Sequence, residues 1–218
     1  MNLAVYGAGG SGREVYDLLQ HCPKQRQKWD EIVFIDDTKE EGNLHDSKRM
    51  PFSRLKELYT PDNTEVIIAI GEPKQRERLY NEVISSGYIF GNLIHDNSFI
   101  SDYAKIGSGI VIQEGVIISS DAVINDNVYI NHRCMIGHDV VIGSNCQISA
   151  NVVISGGAHV GETTFIGGMS CVRDHTNIGT HCIVSMGAAV LKDVCDYSIA
   201  MGNPARVIRK NENEKVFN

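Results

Sequence analysis

The sequence predicts an α/β unit over residues 1–90, followed by an all-β unit over residues 91–210 that forms a parallel β-helix. Two observations predict this fold class. An aliphatic residue stands at every sixth position from Ile94 to Val190 without interruption, and neither an α-helix nor an alternating strand has a six-residue period. Before this repeat, a short apolar strand is followed by a glycine turn and a helical pattern, which is typical of a nucleotide-binding α/β unit.

The hexapeptide repeat predicts a triangular prism in which three short strands make one coil of about eighteen residues. Residue i then lies beneath residue i+18, so that Ile112, Ile130 and Ile148 form one column of the core. With about 4.8 Å between strands, roughly five to six coils give a prism about 25 to 28 Å tall. The repeat stops after Val194, and residues 210–218 are expected to form a polar tail that is mobile at its end.

Composition and charge exclude several classes of function. The 218-residue chain carries a net charge of −7 and no run of basic residues, which argues against binding to nucleic acid or to an anionic membrane surface. No apolar run is long enough for a membrane span, and the chain starts directly with a strand pattern, so a cytoplasmic protein is expected. Six cysteines without a CxxC pair predict no disulfide framework.

The N-terminal unit carries the spacing of a phosphate-binding turn. Gly7–Gly12 matches G-x-G-x-x-G between a strand and a helix, an arrangement in which backbone N–H groups approach a phosphate. A second strand ends at Asp36 and Asp37, where a carboxylate would meet a ribose hydroxyl, and a third ends at Gly71. About ninety residues hold only one mononucleotide half, so a nucleotide-sized ligand is expected rather than NAD. The alternative is that the glycines only permit a tight turn and that this unit is a spacer.

The densest polar cluster on the predicted prism runs from Asn131 to Asp139. By the eighteen-residue rule, His138 lies beneath Gly156 and Asp139 beneath Gly157, which leaves an open slot beside the imidazole. An imidazole can remove a proton from an attacking amine or hydroxyl, and a neighbouring carboxylate fixes its tautomer. The Gly156 N–H could donate to a developing oxyanion. The alternative for this cluster is a solvated surface.

Across nearly the whole chain, these motifs resemble the NeuD/PglD-type bacterial sugar acetyltransferases, whose prism is a left-handed β-helix. The resemblance is carried by Tyr6–Gly12, by Ile35–Asp37, by Ala69–Gly71 with Arg76, and by Gly137–Asp139 with Asn131 upstream. It implies a half-Rossmann N-terminal unit that holds a UDP-linked amino sugar. It also implies a homotrimer that binds acetyl-CoA between adjacent subunits.

The resemblance further implies roles for individual residues. The catalytic positions are His138 as the base, Asp139, Asn131, and Gly156 as the oxyanion donor. The sugar-nucleotide contacts are Gly9, Gly10, Ser11, Gly12, Asp36, Asp37, Gly71 and Arg76. The acetyl-CoA contacts are Gln147, Gly156, Gly157, Gly167, Gly168 and Met186. Ser11 and Gln147 stand where many relatives carry histidine, so the contacts at these two positions are expected to differ.

The expected reaction is transfer of an acetyl group from acetyl-CoA to the amino group of a UDP-linked amino sugar, for bacterial glycan biosynthesis. Two other functions stay open: O-acetylation of a sugar such as sialic acid, and a non-enzymatic trimer that binds a nucleotide sugar. A zinc site is not expected, because it needs three converging protein ligands. The histidines that could supply them, none of which are eighteen residues apart, are His132, His138, His159, His175 and His181.

Overall fold

The computed structural model describes residues 1–217, which form an α/β unit followed by a triangular β-helix. The elements of the α/β unit, in chain order, are β1 (Asn2–Tyr6), α1 (Gly10–His21), α2 (Pro23–Arg26), β2 (Glu31–Ile35), β3 (Gly42–Leu44), β4 (Ser47–Met50), α3 (Phe52–Leu58), β5 (Thr64–Ile68), α4 (Pro73–Ser85) and β6 (Ile89–Phe90). The sheet order is β3-β4-β2-β1-β5-β6, and β3 and β4 form its antiparallel hairpin. No helix within these residues is both long and apolar enough to cross a membrane.

The turn between β1 and α1 requires glycine at two positions. Gly7 has a φ of +120°, which L side chains rarely adopt, and a Cβ at Gly12 would overlap the Gly7 carbonyl oxygen. Helix α1 therefore packs directly against the end of β1. Because β1, β2 and β5 are parallel, the loops after Tyr6, Ile35 and Ile68 meet at one edge of the sheet.

The β-helix stacks two-residue strands on three faces. The first face contains β7 (Leu93–Ile94), β10 (Val111–Ile112), β13 (Tyr129–Ile130), β16 (Gln147–Ile148), β19 (Phe165–Ile166) and β22 (Ile183–Val184), and is extended by β24 (Ser198–Met201) and β25 (Arg206–Lys210). The second face contains β8 (Phe99–Ile100), β11 (Ile117–Ile118), β14 (Met135–Ile136), β17 (Val153–Ile154), β20 (Cys171–Val172) and β23 (Ala189–Val190). The third face contains β9 (Lys105–Ile106), β12 (Val123–Ile124), β15 (Val141–Ile142), β18 (His159–Val160) and β21 (Asn177–Ile178).

The strand register confirms the predicted stacking of residue i beneath residue i+18. Ile112 pairs with Ile130, and Ile130 pairs with Ile148. The inward side chains of all three faces form one buried cluster, which includes Cys134 and Cys146. Burial raises the pKa of each of these two thiols to about 12, so both pack as small neutral groups.

The edges between the faces use left-handed backbone. Asn127, Asp139 and Asn145 have φ values of 56°, 57° and 64°, in a region that Asn and Asp enter more readily than other residues with side chains. Thr163, with a φ of 54°, is a β-branched exception. We name each edge by the faces it joins. Asn131 lies on the first–second edge, His138 on the second–third edge and Thr163 on the third–first edge.

The α/β unit packs on the first face of the prism. The outward side chains of Leu93, Val111 and Tyr129 are buried in the same cluster as residues of β1, α1 and β2. The predicted boundary at residues 90 and 91 falls between β6 of the sheet and β7 of the prism. This packing covers the lower coils of the first face with the α/β unit.

Residues 211–217, which belong to the predicted polar tail, contact both units. Asn211 is 5% exposed, and its Nδ2 donates to the His181 carbonyl oxygen at 2.8 Å. The main-chain N–H groups of Val216 and Phe217 donate to the Glu72 carboxylate. These residues of the polar tail are therefore held by hydrogen bonds. The predicted mobility concerned the end of the tail, where Asn218 lies outside the described residues.

Candidate functional site

A cavity of about 330 Å³ lies at the carboxyl edge of the α/β sheet. Among the predicted sugar-nucleotide contacts, the structure brings together around this cavity Gly9, Gly10, Ser11, Asp36, Asp37 and Gly71. Gly12 does not line the cavity. It is buried against Gly7, so the structure corrects its predicted role from a ligand contact to a packing contact of the turn.

The N-terminus of α1 opens into this cavity, and no side chain within residues 1–217 caps it. Its N-cap residue is Gly9, which offers no side-chain hydrogen bond, and the first turn contains no acidic residue. The first N–H groups of a helix have no intrahelical partner, and the helix dipole favours a negative charge there. The turn therefore has the features of an anion site for a group such as a phosphate.

The two aspartates at the end of β2 are held by hydrogen bonds. Asp36 accepts from the Thr38 N–H at 2.9 Å, from the Thr38 hydroxyl at 2.6 Å and from the Ala8 N–H at 3.3 Å. Partial burial raises the pKa of Asp36, but these hydrogen bonds outweigh it, so its pKa is lowered. The carboxylate is therefore ionised at neutral pH and fixed at the cavity wall.

Asp37 is fixed in a similar way by two different elements. It accepts hydrogen bonds from the Tyr6 hydroxyl and, at 2.8 Å, from the Phe52 N–H. Burial and the adjacent Asp37 carboxylate both raise the pKa of Tyr6, so the phenol stays protonated and continues to donate. Asp36 and Asp37 therefore present carboxylate oxygens in preset positions.

The predicted substrate contact from Arg76 is wrong. The Arg76 side chain is 0% exposed and donates to the main-chain oxygens of Ile68 and Asn127 at 2.7 and 2.6 Å. Burial lowers the pKa of Arg76 to about 10, which leaves the guanidinium charged at neutral pH. Arg76 joins α4 to the prism and has no surface left for a ligand.

His138 lies on the second–third edge with a free imidazole nitrogen. Its Nδ1 is 2.8 Å from Oδ2 of Asp139, and the side chains are 68% and 66% exposed. A carboxylate at Nδ1 favours the tautomer that carries its proton there, which leaves Nε2 as the acceptor. A Cβ built on Gly156 would lie 2.6 Å from this Nε2, so only glycine leaves space beside the imidazole.

The backbone above His138 offers a hydrogen-bond donor. The Gly157 N–H donates to the His138 carbonyl oxygen at 2.8 Å, whereas the Gly156 N–H donates to no group within residues 1–217. Gly137 keeps this N–H accessible, because a Cβ at Gly137 would lie 2.7 Å from the Gly156 nitrogen. The second–third edge therefore combines a base with a free donor, as acyl transfer requires.

A second imidazole borders the same glycines and was not assigned to this site from the sequence. The exposed His175 lies against Gly157, where an added Cβ would overlap its Nδ1. The main-chain N–H of His175 donates to the Gly156 carbonyl oxygen at 3.0 Å. The stacking rule places residue 175 directly above Gly157, so the repeat itself carried the signal that could have found this residue.

Asn131, a predicted catalytic residue, and three of the predicted acyl-donor contacts do not surround His138 within one chain. Asn131 lies on the first–second edge, where its Oδ1 accepts from the His132 N–H at 2.8 Å. The same edge carries Gly167, Gly168 and Met186, the last of which is 75% exposed. These residues reach the imidazole only if another copy of the chain supplies them.

The structure places Gln147 on neither of these two edges. It is 6% exposed on the first face, between Tyr129 and Phe165, and its Oε1 has no hydrogen-bond partner within residues 1–217. A side chain buried on this face does not line the second–third edge, so its predicted contact with the acyl donor is contradicted.

The cavity of the α/β unit and His138 lie on opposite sides of the prism. The α/β unit packs on the first face, and the second–third edge is the edge of a triangle opposite that face. In addition, no three His, Cys, Asp or Glu side chains within residues 1–217 converge as a metal site. Within one chain, the cavity and His138 therefore do not face each other.

Two family models and several known proteins match this chain. Residues 2–83 match the PglD N-terminal domain, and residues 121–156 match the bacterial transferase hexapeptide repeats. The acetyltransferase domain of PglB from Neisseria gonorrhoeae FA1090 is 28% identical with a TM-score of 0.88, covering 95% of this chain and 99% of that one. PerB from Caulobacter crescentus, solved with CoA and GDP-perosamine, is 25% identical with a TM-score of 0.85, covering 96% and 98%.

Among curated proteins, the GDP-perosamine N-acetyltransferase of Escherichia coli O157:H7 is 32% identical over 122 residues, which is 55% of this chain and 54% of that protein. The chain spans about a quarter to about a half of the length of the curated relatives it matches. The structural likenesses cover both units and support the left-handed form of the β-helix. The chain therefore resembles the NeuD/PglD-type sugar acetyltransferases in both of its units.

Proposed function

We propose that the protein transfers the acetyl group of acetyl-CoA to the amino group of a nucleotide-linked amino sugar. The observation that carries this proposal is the second–third edge. There the Asp139 carboxylate orients His138, and Nε2 of His138 faces a glycine whose N–H is free. Base and oxyanion donor are the two groups that aminolysis of a thioester needs.

The proposed reaction begins with the neutral amine of the sugar attacking the thioester carbonyl. A C–N bond forms, and the carbonyl oxygen takes up negative charge that the Gly156 N–H stabilises. Nε2 of His138 accepts the proton that the nitrogen loses, and Asp139 balances the resulting imidazolium. The C–S bond then breaks, the thiolate of CoA leaves, and the proton held by His138 returns to that sulfur. Amide and CoA are the products.

The α/β unit supplies the proposed acceptor site. The free N-terminus of α1 suits the diphosphate, and the carboxylates of Asp36 and Asp37 suit hydroxyl or base N–H donors. The sequence favoured a UDP-linked sugar, whereas two of the relatives, the Escherichia coli enzyme and PerB, act on or bind GDP-perosamine. We propose a GDP-linked amino sugar first, because guanine presents its N1–H and N2–H groups side by side to a carboxylate.

The opposite placement of cavity and base supports a homotrimer. One chain would then offer its cavity to the His138 edge of a neighbour. The second face carries an apolar stripe that such a neighbour would cover, formed by Phe99, Ile117, Met135 and Val153, which are 62%, 40%, 48% and 36% exposed. In dilute solution, light scattering should give about three times the 24.0 kDa of one chain. An active monomer would contradict this arrangement.

The dependence on acetyl-CoA suggests a cytoplasmic reaction. The acetylated nucleotide sugar would serve as a donor in bacterial glycan assembly. The proposed cytoplasmic location rests on the proposed reaction and not on the fold.

The direct test is release of free thiol from acetyl-CoA with GDP-linked, UDP-linked and free amino sugars as acceptors. His138→Ala should lower kcat by about 10² to 10⁴-fold, while binding of CoA measured by calorimetry changes only slightly. The matched control is His159→Ala, an exposed histidine on the third face, which should keep wild-type turnover. Turnover by His138→Ala at the wild-type rate would rule out the assigned base.

Acceptor binding can be separated from chemistry. Asp36→Ala and Asp37→Ala should raise KM for the sugar nucleotide and leave KM for acetyl-CoA nearly unchanged, because both residues lie in the α/β unit. An equal rise in both KM values would contradict the proposed acceptor site.

A further inference from the structure

The last described residues of the chain connect the top of the prism to the α/β unit. We call residues 211–217 the C-terminal strap. On the prism side, the Asn211 N–H donates to the Tyr197 carbonyl oxygen at 2.8 Å, and Asn211 Nδ2 donates to the His181 carbonyl oxygen at 2.8 Å. The ring of Phe217 meets Phe165 edge to face, with centroids 5.6 Å apart. The strap is therefore anchored on the first face and the third–first edge.

The other end of the strap contacts residues 71–74, which lead from β5 into α4. Glu72 is the N-cap residue of α4, but its side chain makes no capping hydrogen bond. Instead, its carboxylate accepts from the Val216 N–H at 3.0 Å and from the Phe217 N–H at 3.1 Å. The Glu72 carboxylate is thus committed to the strap.

An ionic contact adds a third attachment. Oε2 of Glu214 lies 2.9 Å from Nζ of Lys74 and 2.8 Å from Nδ1 of His181. The hydrogen bond with Lys74 lowers the pKa of Glu214, so Glu214 is ionised at neutral pH. Glu214 therefore joins the first turn of α4 to the prism.

This loop is also a wall of the nucleotide cavity. Gly71 lines the cavity from the loop, and Gln75 lines it from the first turn of α4. Phe217 lies next to Gly71, since a Cβ at Gly71 would be 3.5 Å from Cε2 of Phe217. The position of this wall is consequently set by contacts with the prism as well as by the α/β sheet.

The strap also affects the charge beside the cavity. Without it, the Glu72 carboxylate would stand uncompensated next to a cavity suited to an anionic ligand, and like charges at short range repel. Two N–H donors from the strap bind this carboxylate instead. A wall fixed before binding also has less conformational entropy to lose when the ligand arrives.

We propose that the C-terminal strap positions residues 71–74 for the nucleotide part of the acceptor, with Glu72 and Glu214 as positioning residues. The proposal rests on the proposed function only in taking the cavity as the nucleotide site. It assigns to the strap a role in substrate affinity and none in the acetyl transfer step.

The test compares the full chain with a chain that ends at Glu212. Calorimetry with GDP and with UDP should show a Kd about tenfold higher for the shortened chain, equivalent to about 1.4 kcal/mol. KM for the sugar nucleotide should rise by a similar factor, while kcat and KM for acetyl-CoA stay within about twofold. The matched control is Lys215→Ala, because Lys215 is exposed on the strap. This substitution should leave the nucleotide Kd, both KM values and kcat unchanged.

A second substitution separates positioning from simple stability. In the shortened chain, Glu72→Gln removes the uncompensated charge and should recover part of the lost nucleotide affinity. If shortening lowers the melting temperature but leaves the nucleotide Kd unchanged, the strap is only structural and the proposal fails while the proposed function stands. If the full chain binds neither GDP nor UDP, the acceptor site itself is wrong and both proposals fall.

Discussion

Nη2 of Arg76 donates to both oxygens of Asn127, to the main-chain carbonyl at 2.6 Å and to Oδ1 at 2.8 Å. Asn127 returns a hydrogen bond from Nδ2 to the Arg76 carbonyl oxygen at 3.2 Å, and the same Nδ2 donates to Oδ1 of Asn145 at 2.8 Å. A guanidinium from α4 thereby continues a column of asparagines on the prism edge. These hydrogen bonds fix the position of the α/β unit on the first face.

Arg76→Ala should reduce the free energy of unfolding by about 3 kcal/mol, because it leaves buried carbonyl oxygens without donors. Arg76→Lys should restore only part of this loss, since an ammonium cannot reproduce the planar set of donors. Urea denaturation checks both values. The control is Lys48→Ala, which breaks a surface ion pair with Glu31 and should leave the transition unchanged. A similar effect from Arg76→Ala and Lys48→Ala would show that the buried network contributes little.

Thr163→Asn should stabilise the prism by about 1 kcal/mol. Thr163 has a φ of 54° and a buried Oγ1 without a partner within residues 1–217. Asparagine adopts this backbone more readily, and it would stack above Asn145 as Asn145 stacks above Asn127. Thr163→Val is the control, because it removes the hydroxyl but keeps the β-branched side chain. Equal melting temperatures for the Asn and Val variants would contradict the backbone argument.

Gly156→Ala should lower kcat by about a hundredfold without unfolding the prism, the size expected when a base or an oxyanion donor is displaced. The new Cβ would stand 2.6 Å from Nε2 of His138 and push the imidazole from its position. Steady-state kinetics and circular dichroism measure the two effects separately. Gly42→Ala is the control, since a Cβ there meets only the end of the Arg49 side chain at 3.8 Å. Full activity in Gly156→Ala would mean that His138 works from another position.

Alkylation of thiols should distinguish the cysteines at pH 8. The pKa of Cys134 and of Cys146 is raised to about 12 by burial, so about one thiol in 10⁴ is ionised there, and neither should react. Cys195 is exposed and should be labelled. Cys171 is exposed on the second face of a single chain, and it should be protected if that face is covered in the trimer. Mass spectrometry of labelled peptides reads the result, and rapid labelling of Cys171 in the native protein would contradict the covered face.

The β-helix could be predicted in detail from the sequence, because three six-residue repeats correspond to one coil of the prism. One aliphatic residue per hexapeptide gave the Ile112–Ile130 register, which the structure confirms. One hexapeptide corresponds to one face of the prism, and Asn131 and His138 lie on either side of a second-face strand. Their placement on different edges therefore follows from the six-residue repeat. The neighbouring imidazole of His175 follows from the same rule.

Burial against another unit could not be predicted in this way. The helical pattern of α4 does not reveal that Arg76 points into the prism, because its partner is the main chain of Asn127, fifty-one residues away. Gln147 occupies an outward strand position like that of Met135, yet it is 6% exposed on the first face, where the α/β unit packs. The contacts of the strap are harder still to predict. Glu72 accepts from main-chain N–H groups at separations of 144 and 145 residues, and main-chain donors do not depend on side-chain identity.

The separation of cavity and base within each chain allows two inactive proteins to restore each other. A chain with Asp36→Ala and Asp37→Ala keeps a working His138, and a chain with His138→Ala keeps a working cavity. If each site pairs the cavity of one chain with the imidazole of the next, random co-assembly of equal amounts gives one working site in about four. At a sugar-nucleotide concentration near the wild-type KM and far below the KM of the aspartate variant, co-expressed variants should therefore show about a quarter of wild-type activity. The two proteins purified separately and kept as intact trimers should show almost none under the same conditions.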